Sequence, residues 1–290
     1  MTEVKKQVLR SLRSHQDDGG EQVLRSLRSH QDDILRSPSL RSGSHQDDTP
    51  LYVRHARAAD RAVWSVERDV CWAEIDRAQA LAQPDILAKL RSAALIESFH
   101  PVNLSRLIRF AWDDIDAGVV FSLEMYEGFK HFHVLRMYLD AVGYEPRITD
   151  DELRQIRQRA DRGDLDPSDL VTPLVEFMLS EHLAAYFFRR LGEQAQEPQL
   201  KALLALIAAD EVRHAQGASD LIARRIAANL ELVPTVLRAA ADFHHYGEEA
   251  VGDVPIAMES DEVAIRTFAT RIERLCGTRI VDHFKMELEG

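Results

Sequence analysis

The chain has 290 residues, enough for one large domain or two ordinary ones, and a formal net charge of −12 at pH 7. Helix formers such as Ala, Leu, Arg and Glu dominate, which favours an all-α protein. The acidic balance argues against nucleic acid and anionic membrane surfaces as partners. No apolar run reaches the roughly 18 residues of a membrane span, and two cysteines are too few for a disulfide framework. We expect a cytoplasmic protein.

A short repeat marks the N-terminal region. Residues 7–18, with the sequence QVLRSLRSHQDD, recur unchanged at residues 22–33, and His-Gln-Asp-Asp returns at residues 45–48. A His/Asp array for metal binding is one interpretation. A short identical repeat with Gly and Pro between its copies is more typical of a duplicated tail than of a solenoid. We predict a disordered tail over residues 1–50 and a folded domain over residues 55–290.

Apolar residues at spacings of three and four predict helices through the first half of this domain. The first pattern runs from about residue 58 to 75 and includes Trp64. The second begins at Pro84 and carries Glu97 shortly before Pro101, which must kink or break the helix. The third, at about residues 116–142, ends before Gly143.

The second half of the domain repeats this arrangement. Thr172 and Pro173 start a strongly apolar helix that contains Glu181. Pro198 begins a helix of about thirty residues. Shorter helices are predicted at about residues 150–161, 233–246 and 260–287.

Carboxylates and imidazoles recur along these helices in the order that a dimetal four-helix bundle uses. Such a bundle takes one Glu from each of two helices and a Glu/His pair from each of the other two. The corresponding residues are Glu97, then Glu127 with His131, then Glu181, then Glu211 with His214. Glu97 and Glu127 are 30 residues apart, as are Glu181 and Glu211, so the two halves repeat the same chemistry. These residues are the predicted metal ligands.

The alternative for each Glu alone is an ordinary ion pair, such as Glu181 with Arg189 or Arg190. Glu181 argues for metal because an unpaired charge in so apolar a helix would cost several kcal/mol. A bound cation would remove that cost.

The second helix departs from the pattern at Gly128. The Glu-x-x-His spacing of the fourth helix, counted back from His131, leads to Gly128 instead of a Glu. Glu127 then corresponds to Asp210, which in such a bundle would orient a histidine. Three arrangements remain open: Glu127 binds the metal, Glu124 reaches into the space left by the missing side chain, or one metal is weakly held. We predict Glu127 as the ligand and Glu124 as its alternative.

Other histidines have weaker interpretations. His100 lies one turn after Glu97 and could approach the site or cap a broken turn beside Pro101. We expect His182 to point away from the site and His133 to face elsewhere on its helix.

Two segments, Asp210-Glu211-Val212-Arg213-His214 and Glu127-Gly-Phe-Lys-His131, resemble the ferritin-like di-iron carboxylate enzymes. The nearest members of that superfamily are the soluble acyl-carrier-protein desaturases and the ribonucleotide-reductase-like oxidases. The resemblance covers roughly residues 60–275. It implies an all-α, ferritin-like four-helix bundle with additional flanking helices. The ligands that it implies are Glu97, His131, Glu181, Glu211 and His214.

The same resemblance implies two iron ions, O2 as a substrate, electrons from a ferredoxin- or flavin-type reductase, and a homodimer. The chain departs from the family at Gly128, and also at Ala184, where the desaturases place a Thr one turn after the third-helix Glu. Residues 1–48 carry eight basic and eight acidic residues, so the whole charge deficit lies in the folded body, which does not favour an acyl-carrier-protein partner.

We therefore predict an O2-dependent di-iron oxidase or oxygenase that acts on a small or lipid-like organic substrate by desaturation, hydroxylation or N-oxygenation. One alternative is an acyl-carrier-protein desaturase. The other is a degenerate, non-catalytic ferritin-like protein that binds metal or serves as a partner subunit.

Overall fold

The computed structural model of the chain describes residues 49–159, 165–166, 169, 171–243, 245, 247 and 262–278. These residues contain ten α-helices and no strand, which confirms the predicted all-α class. All ten helices belong to the unit Pro50–Gly290. The predicted tail lies, except for residues 49 and 50, outside the described residues, and its disorder stays a prediction.

The helices are long where the candidate ligands are predicted and short elsewhere. The first six are α1 (Leu51–Ala62), α2 (Arg77–Leu81), α3 (Pro84–Glu97), α4 (His100–Phe110), α5 (Ile115–Val142) and α6 (Asp150–Arg159). The last four are α7 (Thr172–Gln194), α8 (Pro198–Ala228), α9 (Val233–Asp242) and α10 (Glu262–Cys276). Short 3-10 turns occupy Trp72–Glu74 and Leu230–Leu232.

Capping groups fix the ends of the long helices. The side chain of Asp114 accepts a hydrogen bond from the backbone N–H of Ala117 at the start of α5, and Gly143 ends that helix with a left-handed φ of 75°. Glu197 accepts two backbone hydrogen bonds in the first turn of α8, where Pro198 occupies the first position. These caps set where α5 and α8 begin, and therefore where along the bundle their polar residues lie.

Helices α3, α5, α7 and α8 form the core of the bundle; α7 packs most extensively on α8, and α5 packs on both α3 and α8. Among the described residues, two large apolar clusters fill this core. One includes Leu90, Tyr138, Phe188 and Ile207. The other includes Leu104, Phe121, Met178 and Ile222. Along α5, α7 and α8 the candidate ligands lie between residues of the two clusters, so the polar site is in the middle of the bundle.

The predicted helix over residues 58–75 is wrong in most of its length. Helix α1 ends at Ala62, and a loop with one short 3-10 turn follows. Trp64 and Val70 are nevertheless buried in this loop. The indole N–H of Trp64 donates a 2.7 Å hydrogen bond to Asp210 on α8. The helical spacing of the apolar residues was therefore misleading, because Trp64 and Val70 are buried by contacts with distant parts of the chain and do not lie on one face of a helix.

The break at Pro101 is confirmed, and it falls just before that residue. Helix α3 ends at Glu97, and α4 begins anew at His100, with Pro101 in its first turn. Proline is tolerated in the first turn because the backbone N–H that it lacks would have no partner there. His100 is the first residue of α4 and is buried in the bundle.

Within the part of the chain that the structure describes, no helix combines the length and the apolar character that crossing a bilayer requires.

Candidate metal centre

The four core helices bring the predicted ligands together in the middle of the bundle. Their side chains are buried, with relative exposures between 0% and 6%. The set comprises Glu97 at the end of α3, Glu127 and His131 on α5, Glu181 on α7, and Glu211 and His214 on α8.

Glu211 is shared between two groups of potential ligands. One group combines Glu97, His131 and Glu211, and the other combines Glu181, Glu211 and His214; within each group the donor atoms lie within 4.8 Å of one another. Glu211 Oε1 is 2.8 Å from Nδ1 of His131, and Oε2 is 2.9 Å from Nδ1 of His214. The two carboxylate oxygens thus face different groups, which is the arrangement of a bridging carboxylate between two cations.

The donor atoms of these groups fit a bound cation. Among the described residues, several buried donor atoms of the centre form no hydrogen bond of acceptable geometry and meet one another only as close ion pairs, as Oε1 of Glu211 and Nδ1 of His131 do at 2.8 Å. Buried polar groups without partners are rare in folded proteins. Carboxylate oxygens and imidazole nitrogens together suit iron and manganese. The residues present therefore fit a dinuclear site.

Each of the two candidate-ligand histidines, His131 and His214, has a carboxylate beside its outer ring nitrogen. Nε2 of His131 lies 3.0 Å from Asp210, and Nε2 of His214 lies 2.8 Å from Glu127. Arg213 connects the two carboxylates, at 2.8 Å from Asp210 and 2.6 Å from Glu127. A carboxylate on the outer nitrogen fixes the tautomer and orientation of a metal-binding imidazole. Glu127 and Asp210 thus occupy equivalent positions in the two halves.

The prediction that Glu127 binds metal stays a prediction, and the geometry gives this residue a different set of neighbours. Its two oxygens are engaged by His214 and Arg213. These partners hold the pKa of Glu127 below its ordinary value, against the opposing effect of burial. Glu127 does not belong to either group of three potential ligands.

Asp210 has two further partners that the sequence did not identify as part of the site. The indole N–H of Trp64 donates to its Oδ2 at 2.7 Å, and Nζ of Lys130 lies 3.2 Å from the same atom. The Trp64 ring also stacks on His131, with an interplanar angle of 6°. Burial would raise the pKa of Asp210, but His131 and the basic neighbours hold it well below its ordinary range. Asp210 therefore remains a carboxylate and a firm acceptor for His131.

The carboxylates shift the pKa values of both histidines. Burial alone would lower the pKa of His131, but the neighbouring carboxylates, Glu211 first among them, outweigh burial and raise it to about 9. The pKa of His214 is raised well above its ordinary value for the same reason. In turn, the two imidazoles hold the pKa of Glu211 well below its ordinary value, although burial opposes them. In the metal-free protein the histidines hold protons that a bound cation would displace.

Glu124 lies beside the site but not over Gly128. Its Oε1 is 3.0 Å from the position that a Cβ on Gly217 would occupy, so the carboxyl group rests against α8. Burial raises the pKa of Glu124 well above its ordinary value. Its Oε2 is buried without a hydrogen-bond partner among the described residues. That Glu124 reaches metal stays a prediction, and a different residue occupies the space at Gly128.

That residue is His100. Its Nδ1 is 3.2 Å from Oε2 of Glu97, and its Nε2 is 3.4 Å from Oε1 of Glu181. The sequence signal was present, because Glu97 and His100 have the same spacing as Glu211 and His214. The other two histidines stay out of the site, as expected: His133 is exposed, and His182 lies 3.4 Å from Arg271.

A small, partly open cavity of about 30 Å³ adjoins Glu97 and lies between α3 and α7. Apolar side chains form most of its wall: Ala93, Ile96, Leu183, Ala184, Phe187 and Phe188. Lys89, Ser92 and His245 add polar groups. The cavity therefore places an apolar surface next to a candidate ligand.

Comparison with known proteins supports the fold. No protein-family model matches the chain, and no curated protein matches it. Among solved structures, an R2-like ligand-binding oxidase from Sulfolobus acidocaldarius is similar, with a TM-score of 0.52 and 19% sequence identity. The alignment covers 82% of this chain and 95% of that one. At this identity the likeness shows the fold, and the chain has the predicted all-α, ferritin-like architecture.

Proposed function

We propose that the protein is a non-haem di-iron oxidoreductase that uses O2 to oxidise a small or lipid-like organic substrate. The observation that carries this proposal is the sharing of the buried Glu211 between two groups of potential ligands. The similar solved structure is named an oxidase, which agrees with the proposal without identifying a substrate.

The site would hold one iron between Glu97, His131 and Glu211 and the other between Glu181, His214 and Glu211. Glu211 would bridge the two ions. Asp210 holds the outer nitrogen of one imidazole, and we propose that Glu127 does the same for the other instead of binding metal. Five carboxylates meet here (Glu97, Glu127, Glu181, Asp210 and Glu211), and Lys130 and Arg213 neutralise only part of their charge, so the site favours cations.

Bound iron would supply redox chemistry with O2, and the protein would supply the environment. The apolar wall of the cavity beside Glu97 would bind an apolar part of the substrate and exclude water from the reacting bond. Ala184 leaves that wall without a hydroxyl one turn after Glu181. Desaturation, hydroxylation and N-oxygenation all remain within this class. We further propose a ferredoxin- or flavin-type reductase as electron donor, a homodimer and a cytoplasmic location.

The acyl-carrier-protein desaturases are the more specific alternative. The acidic folded body does not favour it, because such an enzyme needs a basic surface for its acidic carrier. Ala184 does not favour it either, because the desaturases have a Thr at that position. A degenerate protein that binds metal without catalysis is the other alternative, and metal analysis of the purified protein would distinguish it.

Iron content of protein produced with iron tests the proposal. We expect about two irons per chain in the wild type, as in two-metal sites generally. Glu211→Ala should retain less than half of this iron, because both groups lose a donor. His133→Ala is the matched control, since it removes an exposed imidazole from α5 and should leave the content unchanged. Wild-type protein without iron, or Glu211→Ala with unchanged iron, would contradict the proposal.

A further inference from the structure

The ring of His100 occupies the space where a side chain at position 128 would begin. A Cβ placed on Gly128 would lie 2.6 Å from both Cγ and Cδ2 of this ring, and 3.0 Å from its Cβ. Packed carbon atoms normally stay about 3.5–4.0 Å apart. The ring cannot swing away easily, because His100 is only 2% exposed and meets Phe177 edge-on. A side chain at position 128 and the His100 ring therefore exclude each other.

The two ring nitrogens of His100 face one carboxylate from each group of ligands. Nδ1 lies 3.2 Å from Glu97, which belongs to the group with His131. Nε2 lies 3.4 Å from Glu181, which belongs to the group with His214. The imidazole is thus at the edge of the centre, beside Glu97 and Glu181, although His100, like Glu127, is not a member of either group of three potential ligands.

Local backbone structure explains how His100 reaches this position. The stop after Glu97 and the new start at His100 place both side chains toward the centre across the helix break. The spacing of three residues would place both side chains on one face of an uninterrupted helix as well, so the break leaves His100 on the side of Glu97. Glu127 is held by His214 and Arg213, and Glu124 rests against α8, so neither carboxylate occupies the space beside Gly128.

We propose that His100 is a metal ligand that replaces the carboxylate missing at position 128. This inference rests on the proposed function, because it assumes the dinuclear site. The two ions would then be held by three carboxylates and three imidazoles. The common bundle arrangement has four carboxylates and two imidazoles, so this site would carry one negative charge fewer. Gly128 is the residue that makes room for the exchange.

Cobalt binding by the metal-free full-length chain tests the assignment. Calorimetric titration gives the number of Co²⁺ ions and their affinities, and melting with and without Co²⁺ separates metal binding from folding. The variants are His100→Ala, Gly128→Ala and the exchange His100→Ala/Gly128→Glu, with His133→Ala as the control. Gly128→Ala keeps the imidazole but displaces it, so it tests the same assignment if the His100→Ala protein fails to fold.

We expect two Co²⁺ ions per wild-type chain. In His100→Ala and Gly128→Ala one of the two affinities should fall at least about tenfold, with a smaller rise in melting temperature on adding Co²⁺. The exchange variant should regain affinity because its new carboxylate enters the space that the ring leaves.

Wild-type affinity for both ions in His100→Ala would overturn the inference. Equal losses of melting temperature with and without Co²⁺ would overturn it too, since His100 would then be structural. An exchange variant that binds no better than His100→Ala would contradict the replacement of one ligand by the other. A wild-type chain that binds neither Co²⁺ nor iron would instead defeat the proposed function itself.

Discussion

Arg213 links the two halves of the centre, and its replacement by Met should damage stability and metal binding together. Its Nη2 is 2.6 Å from Glu127 and 2.8 Å from Asp210, and its side chain is 13% exposed. The two carboxylates are 7% and 2% exposed. Arg213→Met keeps the apolar stem but leaves both carboxylates without this cation in a nearly dry environment.

Removing one partner of a buried ion pair costs about 3–5 kcal/mol. Lys130 remains 3.2 Å from Asp210 and neutralises part of its charge, so the lower end of that range applies. We therefore expect metal-free Arg213→Met to lose about 3 kcal/mol of unfolding free energy. For a domain of this size each kcal/mol lowers the melting temperature by about 2–4 °C, which gives a shift of about 6–12 °C.

Metal affinity should fall as well, by about 10–100-fold, because the carboxylates that orient His131 and His214 are no longer fixed. Urea unfolding of the metal-free protein and calorimetric titration with Co²⁺ measure the two effects separately. Arg190→Met is the control, because the ion pair of Arg190 with Glu193 is 2.7 Å long but about half exposed. We expect this substitution to lower the free energy of unfolding by only about 0–1 kcal/mol. An Arg213→Met protein that resembles this control in both measurements would refute the role given to Arg213.

Two further predictions concern the ends of α5. Asp114 forms ion pairs with Arg224, and this guanidinium keeps the pKa of the carboxyl below its ordinary value although burial opposes it. Asp114→Asn, which can still cap the helix, should destabilise the protein at pH 7. The loss of stability relative to the wild type should begin to shrink as pH falls below about 4, where Asp114 becomes protonated in the unfolded chain, and should vanish only below the lowered pKa of the folded state, where Asp114 is protonated in both states. Exposed Asp113→Asn should show no such dependence in urea unfolding at several pH values. Gly143→Ala should destabilise the protein by about 1–2 kcal/mol because φ is 75° there. Gly118→Ala, whose Cβ would meet no atom within 4 Å, should instead stabilise it by up to about 1 kcal/mol. Thermal melting measures both changes, and a shift of the opposite sign in either variant would contradict the prediction.

The sequence predicted the long helices well because their signals are local. Pro198 opens α8 and Gly143 closes α5, and both residues act within one turn of the chain. Glu181 was recognisable because an ionised carboxylate in so apolar a helix requires a cation nearby. The order of Glu and His residues along four helices predicted that these helices form one bundle, and α7 and α8 do pack on each other.

Features that depend on long-range contacts were not predictable in the same way. Trp64 lies in a loop, and its indole donates a hydrogen bond to Asp210, 146 residues further along the chain. The neighbours of Glu127 depend on how α5 is rotated against α8, which residue spacing alone does not fix. His100 was visible as a second Glu-x-x-His spacing, but that spacing alone does not show that the ring would lie against Gly128 on α5.

The central claim is that two cations share Glu211 in the middle of the bundle. The most direct test is the anomalous diffraction of iron in crystals of the iron-loaded protein, collected at the iron absorption edge. We expect two peaks about 3.5–4 Å apart, one beside Glu97 and His131 and one beside Glu181 and His214, with Glu211 between them. A single peak, no peak, or peaks away from Glu211 would contradict it.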